Sequence, residues 1–239
     1  VRVKSWILAV LACGLAAVFA LLGQWQLRRA DEAERQAAEF ATLADAAALT
    51  TLPAADAVGE FRYRRVALRG RYLPQTQVLV DNMTHGGVAG YHVLTPFVAT
   101  GGGIAVVNRG FVAALPSRSD LPEVAVAAAE RTVHGRIDTW LTPALRLDAA
   151  DLGGAGAVRV MSFPDAKDLE RTFGYPVPAY QILLDAGEPD GFVRAWEPSG
   201  SRAERNLVYA GQWFALGVAT FVAALGWLFK SHFRKRSGA

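Results

Sequence analysis

Two short stretches of this chain hold the residues best suited to chemistry. The first is Asp81-Asn82-Met83-Thr84-His85, followed by Tyr91-His92 and later by Asn108-Arg109-Gly110. Asp81, His85 and His92 together offer the donor types of a metal site or of acid–base work. The same residue types also satisfy turn backbones through local hydrogen bonds. Read as a hairpin, Asp81-Asn82 ends one strand, Gly86-Gly87 makes the turn and Tyr91-His92 begins the next, so structural, partner-facing and catalytic roles all stay open. Asn82-Met83-Thr84 also matches a glycosylation sequon. Arg109, directly after the apolar run from Ile104 to Val107, reads as a solvated strand-end cation or an ion-pair partner. The second stretch is Asn206, Tyr209 and Trp213. Their spacing of three and four sets them on one face of a helix, over about 10 Å of axis, a porphyrin's width. Such a face is either a cradle for a flat amphipathic ring or an aromatic belt at a membrane surface.

The elements that position these residues begin with two apolar runs. Trp6 to Trp25 and Val208 to Phe229 each meet the roughly 20 residues needed to cross a bilayer core. The first run closes on Gly23-Gln24-Trp25 and the second opens on Gly211-Gln212-Trp213. Two spans around one domain form a hairpin, so both triplets sit at the same membrane face, where Trp is favoured. The predicted layout is an inner tail over 1–5, a first span over 6–25 and a helical connector over 26–60. A mainly β extramembrane domain follows over 61–205, then a second span over 206–229 and a basic inner tail over 230–239.

Charge orients this hairpin. All 22 acidic residues fall between Asp31 and Glu204, while Arg2, Lys4, Lys230, Arg234, Lys235 and Arg236 flank the spans on the terminal side. Short basic flanks stay on the cytoplasmic side, or the matrix side of a mitochondrion. Both termini are therefore expected inside and the domain outside. The overall charge of +3 belongs to the tails, and the slightly acidic middle excludes a nucleic-acid surface. The first run also resembles a cleaved signal, with Leu11-Ala12-Cys13 near a lipoprotein site, but it continues too far past Cys13 for that reading. Cys13 is the only cysteine, which excludes an intramolecular disulfide and a cysteine metal cluster.

In the middle, Ala30 to about Leu49 is rich in Ala, Glu and Gln and predicts a helix with a stripe at Ala33, Ala37, Phe40, Ala44 and Ala48. From Phe61 the period changes to two, with Val66, Leu68, Gly70 and Tyr72 alternating against Arg65, Ala67, Arg69 and Arg71. Further strands are expected at 77–81, 90–99, 104–112, 131–140, 157–162 and 180–185. A short helix is expected from Pro164 to Phe173, stopped by Gly174. Gly-rich turns between strands argue for an antiparallel sheet or small barrel packed on a few helices. The Ala- and Pro-rich segment 113–129 reads as a loop. No phosphate loop, nucleophile elbow or paired-histidine zinc motif occurs in the sequence.

Taken in order, several segments resemble the surfeit-locus family of cytochrome oxidase assembly factors. They are Leu22-Gly23-Gln24-Trp25-Gln26-Leu27-Arg28-Arg29, Val80-Asp81-Asn82 with Thr84-His85, Gly90-Tyr91-His92-Val93-Leu94-Thr95-Pro96, Val107-Asn108-Arg109-Gly110, and Tyr209-Ala210 with Gln212-Trp213-Phe214. The resemblance runs from about residue 5 to 229. It implies a non-enzymatic factor that helps place haem a in the catalytic subunit of an aa3-type oxidase, working with that subunit and other assembly factors. On this reading Trp213, Tyr209, Gln212, Asn206 and Trp25 are the residues expected to meet haem. Many family members carry a His seven residues before the second Trp, where this chain has Asn206, a poor iron ligand beside imidazole. Met83 stands where a basic residue is frequent, and Phe111 where Trp is usual. Two other readings stay open: a clamp on oxidase subunits that never touches haem, and a tethered enzyme using Asp81 and His85. The expected location is the inner membrane of a bacterium, with the mitochondrial inner membrane as the other reading, because no Arg- and Ser-rich leader precedes the first span.

Overall fold

The computed structural model describes residues 2–43, 46–56, 58–117, 120–141, 151–156, 158–196 and 203–233. Arg234, Lys235 and Arg236 of the basic tail, Ala44 of the connector stripe and Ala157 lie outside the described residues. The chain divides into two compact units, Val1–Glu39 with Glu197–Ala239, and Phe40–Trp196.

The first unit is built on two helices, α1 (Arg2–Thr42) and α4 (Ala203–Phe233). Both are long and apolar enough to cross a membrane. At 1.5 Å per residue α1 is about 60 Å long, twice what a bilayer core needs. Its shielded positions recur at three and four: Ala9, Ala12, Ala16, Phe19, Gly23, Gln26 and Ala30. On α4 the same spacing picks out Asn206, Ala210, Trp213, Gly217, Thr220 and Ala224. That spacing makes one seam per helix, and small residues along it let two backbones approach in lipid. The seams meet antiparallel. A Cβ on Gly23 would stand 2.7 Å from the Phe214 ring, and one on Gly217 would touch Ala16 and Phe19. The large apolar side chains Leu8, Leu11, Leu15, Val18, Val218 and Val222 face outward.

The second unit is the β domain. Its strands are β1 (Arg65–Tyr72), β2 (Gln77–His85), β3 (Val88–Ala99), β4 (Ile104–Ala113), β5 (Arg131–Thr139), β6 (Asp151–Ala155), β7 (Val158–Met161) and β8 (Tyr180–Leu184). The short helices are α2 (Val58–Phe61) and α3 (Ala166–Phe173). The strand order is β1-β5-β8-β4-β3-β2-β7-β6, and β1 pairs β3 as well. That extra pairing closes β1, β5, β8, β4 and β3 into a five-stranded ring, from which β2, β7 and β6 extend as a sheet. The expected small barrel and open sheet are therefore combined in one structure. The pairings are antiparallel except β2–β7 and β4–β8. α1 ends at Thr42 rather than near Leu49, because Leu49 bridges to Val66 in parallel and adds to the sheet. Hydrogen bonds across that bridge outweigh the helix propensity of an Ala-rich segment.

Period two explains the packing. Val66, Leu68 and Tyr72 meet Phe97, Val107, Ile137, Ile182 and Leu184 inside the ring. On the outer face, Val78, Val80, Leu94 and Val106 pack under Leu169 and Phe173 of α3. This helix starts at a capping box between Asp165 and Asp168 and stops at left-handed Gly174. The β2–β3 turn is Gly86-Gly87 with φ of 58° and 81°, the positive pair that a two-residue hairpin turn demands. Around that turn the strands run further than predicted, to His85 and from Val88.

Candidate functional site

Asn206 and Trp213 both lie on the seam of α4, four residues before and three residues after buried Ala210. Trp213 stacks on Phe19 of α1 at 5.7 Å between ring centroids, with 24° between planes. Tyr209 stands at the flank of this stripe and is 45% exposed, Trp25 is 53% exposed, and Gln212 is exposed. The two Gly-Gln-Trp triplets lie at one level of the helix pair, since Gly23 meets Phe214 and Phe19 meets Trp213. The structure thus brings Asn206 and Trp213 onto the packed face and leaves Tyr209, Gln212 and Trp25 outside it. Three exposed aromatic or amide side chains beside a packed indole can lie against a flat, amphipathic group. No described residue at this level supplies an imidazole.

The second cluster lies in the β domain and differs most from expectation. Arg109 is 1% exposed, not solvated, and among the described residues no carboxylate pairs with it. Strand β4 continues past Val107, so Arg109 falls on the barrel-facing side with Ala105 and Val107. Its Nε donates to the Asp190 carbonyl at 2.7 Å. Its Nη1 donates to Gln77 Oε1 at 3.0 Å and to the Val124 carbonyl at 2.7 Å. Rings of Phe192 and Tyr72 flank the guanidinium at 5.0 and 5.8 Å. Burial lowers its pKa to about 10, still far above neutral pH, so the cation persists. A planar five-donor fork suits this task. It ties the Ala- and Pro-rich segment and the 186–193 loop to the barrel. Tyr72, beside it, is pushed up to about 12 by burial.

Next to Arg109 a polar chain crosses the outer sheet face. Gln181, 3% exposed, donates to the Thr139 carbonyl at 2.9 Å and accepts from Asn108 Nδ2 at 2.9 Å. Asn108, 2% exposed, accepts from the Gly110 amide at 3.1 Å, which fixes which end of its side chain is the amide nitrogen. That nitrogen lies 3.4 Å from His92 Nδ1. The His92 ring meets Trp196 edge-on at 5.7 Å. Gln181 and Asn108 interrupt otherwise apolar strands, YQILL and IAVVN, and that interruption was the available sequence signal for Gln181.

Burial first, and His85 second, lower the His92 pKa from 6.5 to about 4. The folded chain therefore refuses a proton that the unfolded chain accepts between pH 6.5 and 4. Stability is full above pH 6.5 and falls as pH drops through that window, by up to about 3 kcal/mol. Urea midpoints measured from pH 7.5 to 4 check this: His92→Gln should flatten the decline, and an equal decline in both proteins would remove His92 as its cause. Asp81 is buried at a bulge between Val80 and Met83, next to Asn82 at φ 63°, rather than at a strand end. His85 is exposed and packs against Phe111. Among the described residues, no three His, Cys, Asp or Glu converge on a metal position.

Comparison with known proteins identifies the lineage. The model of the SURF1 family matches residues 13–218. An uncharacterised SURF1-like protein of Mycobacterium bovis and two of Mycobacterium tuberculosis strains are each 34% identical over 98 residues, covering 39% of this chain and 36% of theirs. The matched part thus spans about a third of the length of each relative. Coverage by the family model, from within the first span to about the middle of α4, decides the assignment: this chain belongs to the SURF1 family.

Proposed function

We propose that this protein is an assembly factor for a haem–copper (aa3-type cytochrome c) oxidase and assists haem a delivery to, or insertion into, the catalytic subunit. Membership of the SURF1 family over residues 13–218 carries this reading. The layout supports it: two membrane-length helices and a β domain whose polar residues are tied into structural networks. The protein sits in a bacterial inner membrane with its basic tails in the cytoplasm and the β domain in the periplasm, next to the oxidase subunit and its other assembly factors. A reporter active only in the periplasm, fused after Ala239, should stay silent, and strong activity would reverse the orientation.

Haem a is cargo in this account, and the α4 stripe fits the macrocycle better than the iron. Tyr209 and Trp25 expose ring area, Gln212 offers an amide, and Asn206 offers at best a hydrogen bond. Haem is then held by packing, and its axial ligand comes from the partner that receives it. Aromatic contacts contribute about 0.5–1.5 kcal/mol beyond area burial, so Trp213→Ala should weaken haem retention several-fold. Asn206→His adds an imidazole and should strengthen it, with a spectral shift to nitrogen ligation. Haem content of detergent-purified variants from a haem a-producing host measures both. One observation favours the clamp reading instead: Trp213 already spends a ring face on Phe19. If neither wild type nor Asn206→His ever retains haem, the clamp is the function.

A further inference from the structure

Residues 121–130 are patterned like a strand but are not held like one. Pro122, Val124 and Val126 are buried, while Glu123, Ala125 and Ala127 between and after them are exposed. Yet among the described residues no member of this segment takes part in a backbone–backbone hydrogen bond. Ring closure explains the missing ladder. The pairing of β1 with β5 ends at Gly70 and Arg131, and from Gly70 to Tyr72 β1 pairs with β3. The chain just before β5 has therefore lost its neighbour on that side. Unpaired backbone groups persist only where water reaches them.

The apolar side of the segment is covered. Val124 belongs to a cluster with Leu79, Tyr91, Val93 and Val160, and Val126 joins the cluster inside the ring. Its polar ties to the rest of the domain are few. Arg109 donates to the Val124 carbonyl at 2.7 Å and to the Ala125 carbonyl at 3.4 Å. Arg69 pairs with Glu130 at 3.0 Å on the exposed surface. The other bonds are local: Glu123 accepts from the Ala125 amide, and Arg131 donates to the Ala127 and Ala129 carbonyls. A strand in a ladder opens with its neighbours, whereas a segment without ladder bonds can leave alone. We propose that residues 121–130 form a strap that lifts off while the ring stays closed, uncovering the apolar strip of Leu79, Tyr91 and Val93. Arg109, buried beneath the strap, is its catch. The β domain then has a closed and an open state, and this device does not depend on the haem reading.

Thiol labelling of the full-length protein in detergent tests the strap, with Cys13→Ser removing the native cysteine. Val124→Cys lies in the strap, Val93→Cys on the strip beneath it and Val133→Cys inside the ring, all at buried positions. Each variant is treated with iodoacetamide across a urea series below its unfolding transition. Opening a short segment exposes little surface, so its labelling rate depends weakly on urea, whereas global unfolding depends on it steeply. Positions 124 and 93 should label together, with shallow urea dependence and roughly ten-fold or more faster than position 133. Val93→Cys leaves the strap's own sequence intact, so a strap loosened by Val124→Cys does not explain both. Arg109→Lys weakens the catch and should speed labelling at position 93 more than at position 133. If position 93 labels only with the steep dependence of position 133, the strap does not open alone and the proposal fails. Equal rates at all three positions would also overturn it.

Discussion

Replacing Arg109 by leucine should destabilise the β domain by about 3–5 kcal/mol, the largest effect expected from a single substitution in this chain. The size follows from what is left behind. Leucine fills some of the space between Phe192 and Tyr72 but offers no donor. The carbonyls of Asp190 and Val124 and the Gln77 Oε1 then lose their charged donor while still buried. Hydrogen bonds to a charged group contribute about 1.5–3 kcal/mol each, and a stranded buried acceptor costs about 1–3 kcal/mol. These terms overlap, which holds the sum near the cost of breaking a buried ionic contact. Arg109→Lys keeps the charge but cannot reach Asp190, Gln77 and Val124 with a planar fork, so it should lose about half as much. Urea titration followed by near-ultraviolet dichroism measures both. A leucine variant within 1 kcal/mol of wild type would mean that the guanidinium does not hold the loops.

Gly70→Ala should cost about 3 kcal/mol, near the upper end for overpacking a filled interior. Gly70 opens the short pairing with β3, Gly70 to Ala99, Arg71 to Val98 and Tyr72 to Phe97, that closes the barrel. A Cβ there would collide with the Val98 carbonyl oxygen and stand 2.7 Å from the Phe97 ring. Backbone cannot yield without opening the closure, so the strain falls on the short pairing that joins β1 to β3. Gly59→Ala is the control, since nothing lies within 4 Å of its Cβ position. It should gain up to about 1 kcal/mol from helix propensity. Equal unfolding midpoints for the two alanine variants would refute the closure argument.

Local pattern made much of this fold legible. Period two announced β1 through its buried Val66, Leu68, Gly70 and Tyr72, and turn residues separated β2, β3 and β4. The stop signal at Gly174 marked the end of α3, and Asp165 caps its start. Long-range closure was not legible, because the three-pair contact of β1 with β3 depends on barrel curvature and leaves no mark on either strand's own sequence. Arg109 was misread for a related reason. Two of its acceptors are backbone carbonyls, at 124 and 190, distant in sequence and identical in type to every other carbonyl. The end of α1 failed where a tertiary bridge at Leu49 overrode propensity.

At the helix pair, the sequence placed Asn206, Tyr209 and Trp213 within one helical arc, but it could not say which of them the partner helix would cover. The seam settles that. Gly23 and Gly217 allow close approach, and the approach puts Trp213 on Phe19 while Tyr209 stays outside. The interrupted strand patterns at Asn108 and Gln181 held a signal for the His92 network, and its meaning depended on a register between β4 and β8 that only the fold supplies.

If this chain promotes haem a placement in an oxidase, as proposed, then an aa3-type oxidase purified from a host lacking the protein should carry less haem a per catalytic subunit. The subunit should accumulate but be deficient in haem a, restored by wild type and restored less well by Trp213→Ala. A fully haem-loaded, active oxidase in the host without the protein would contradict it.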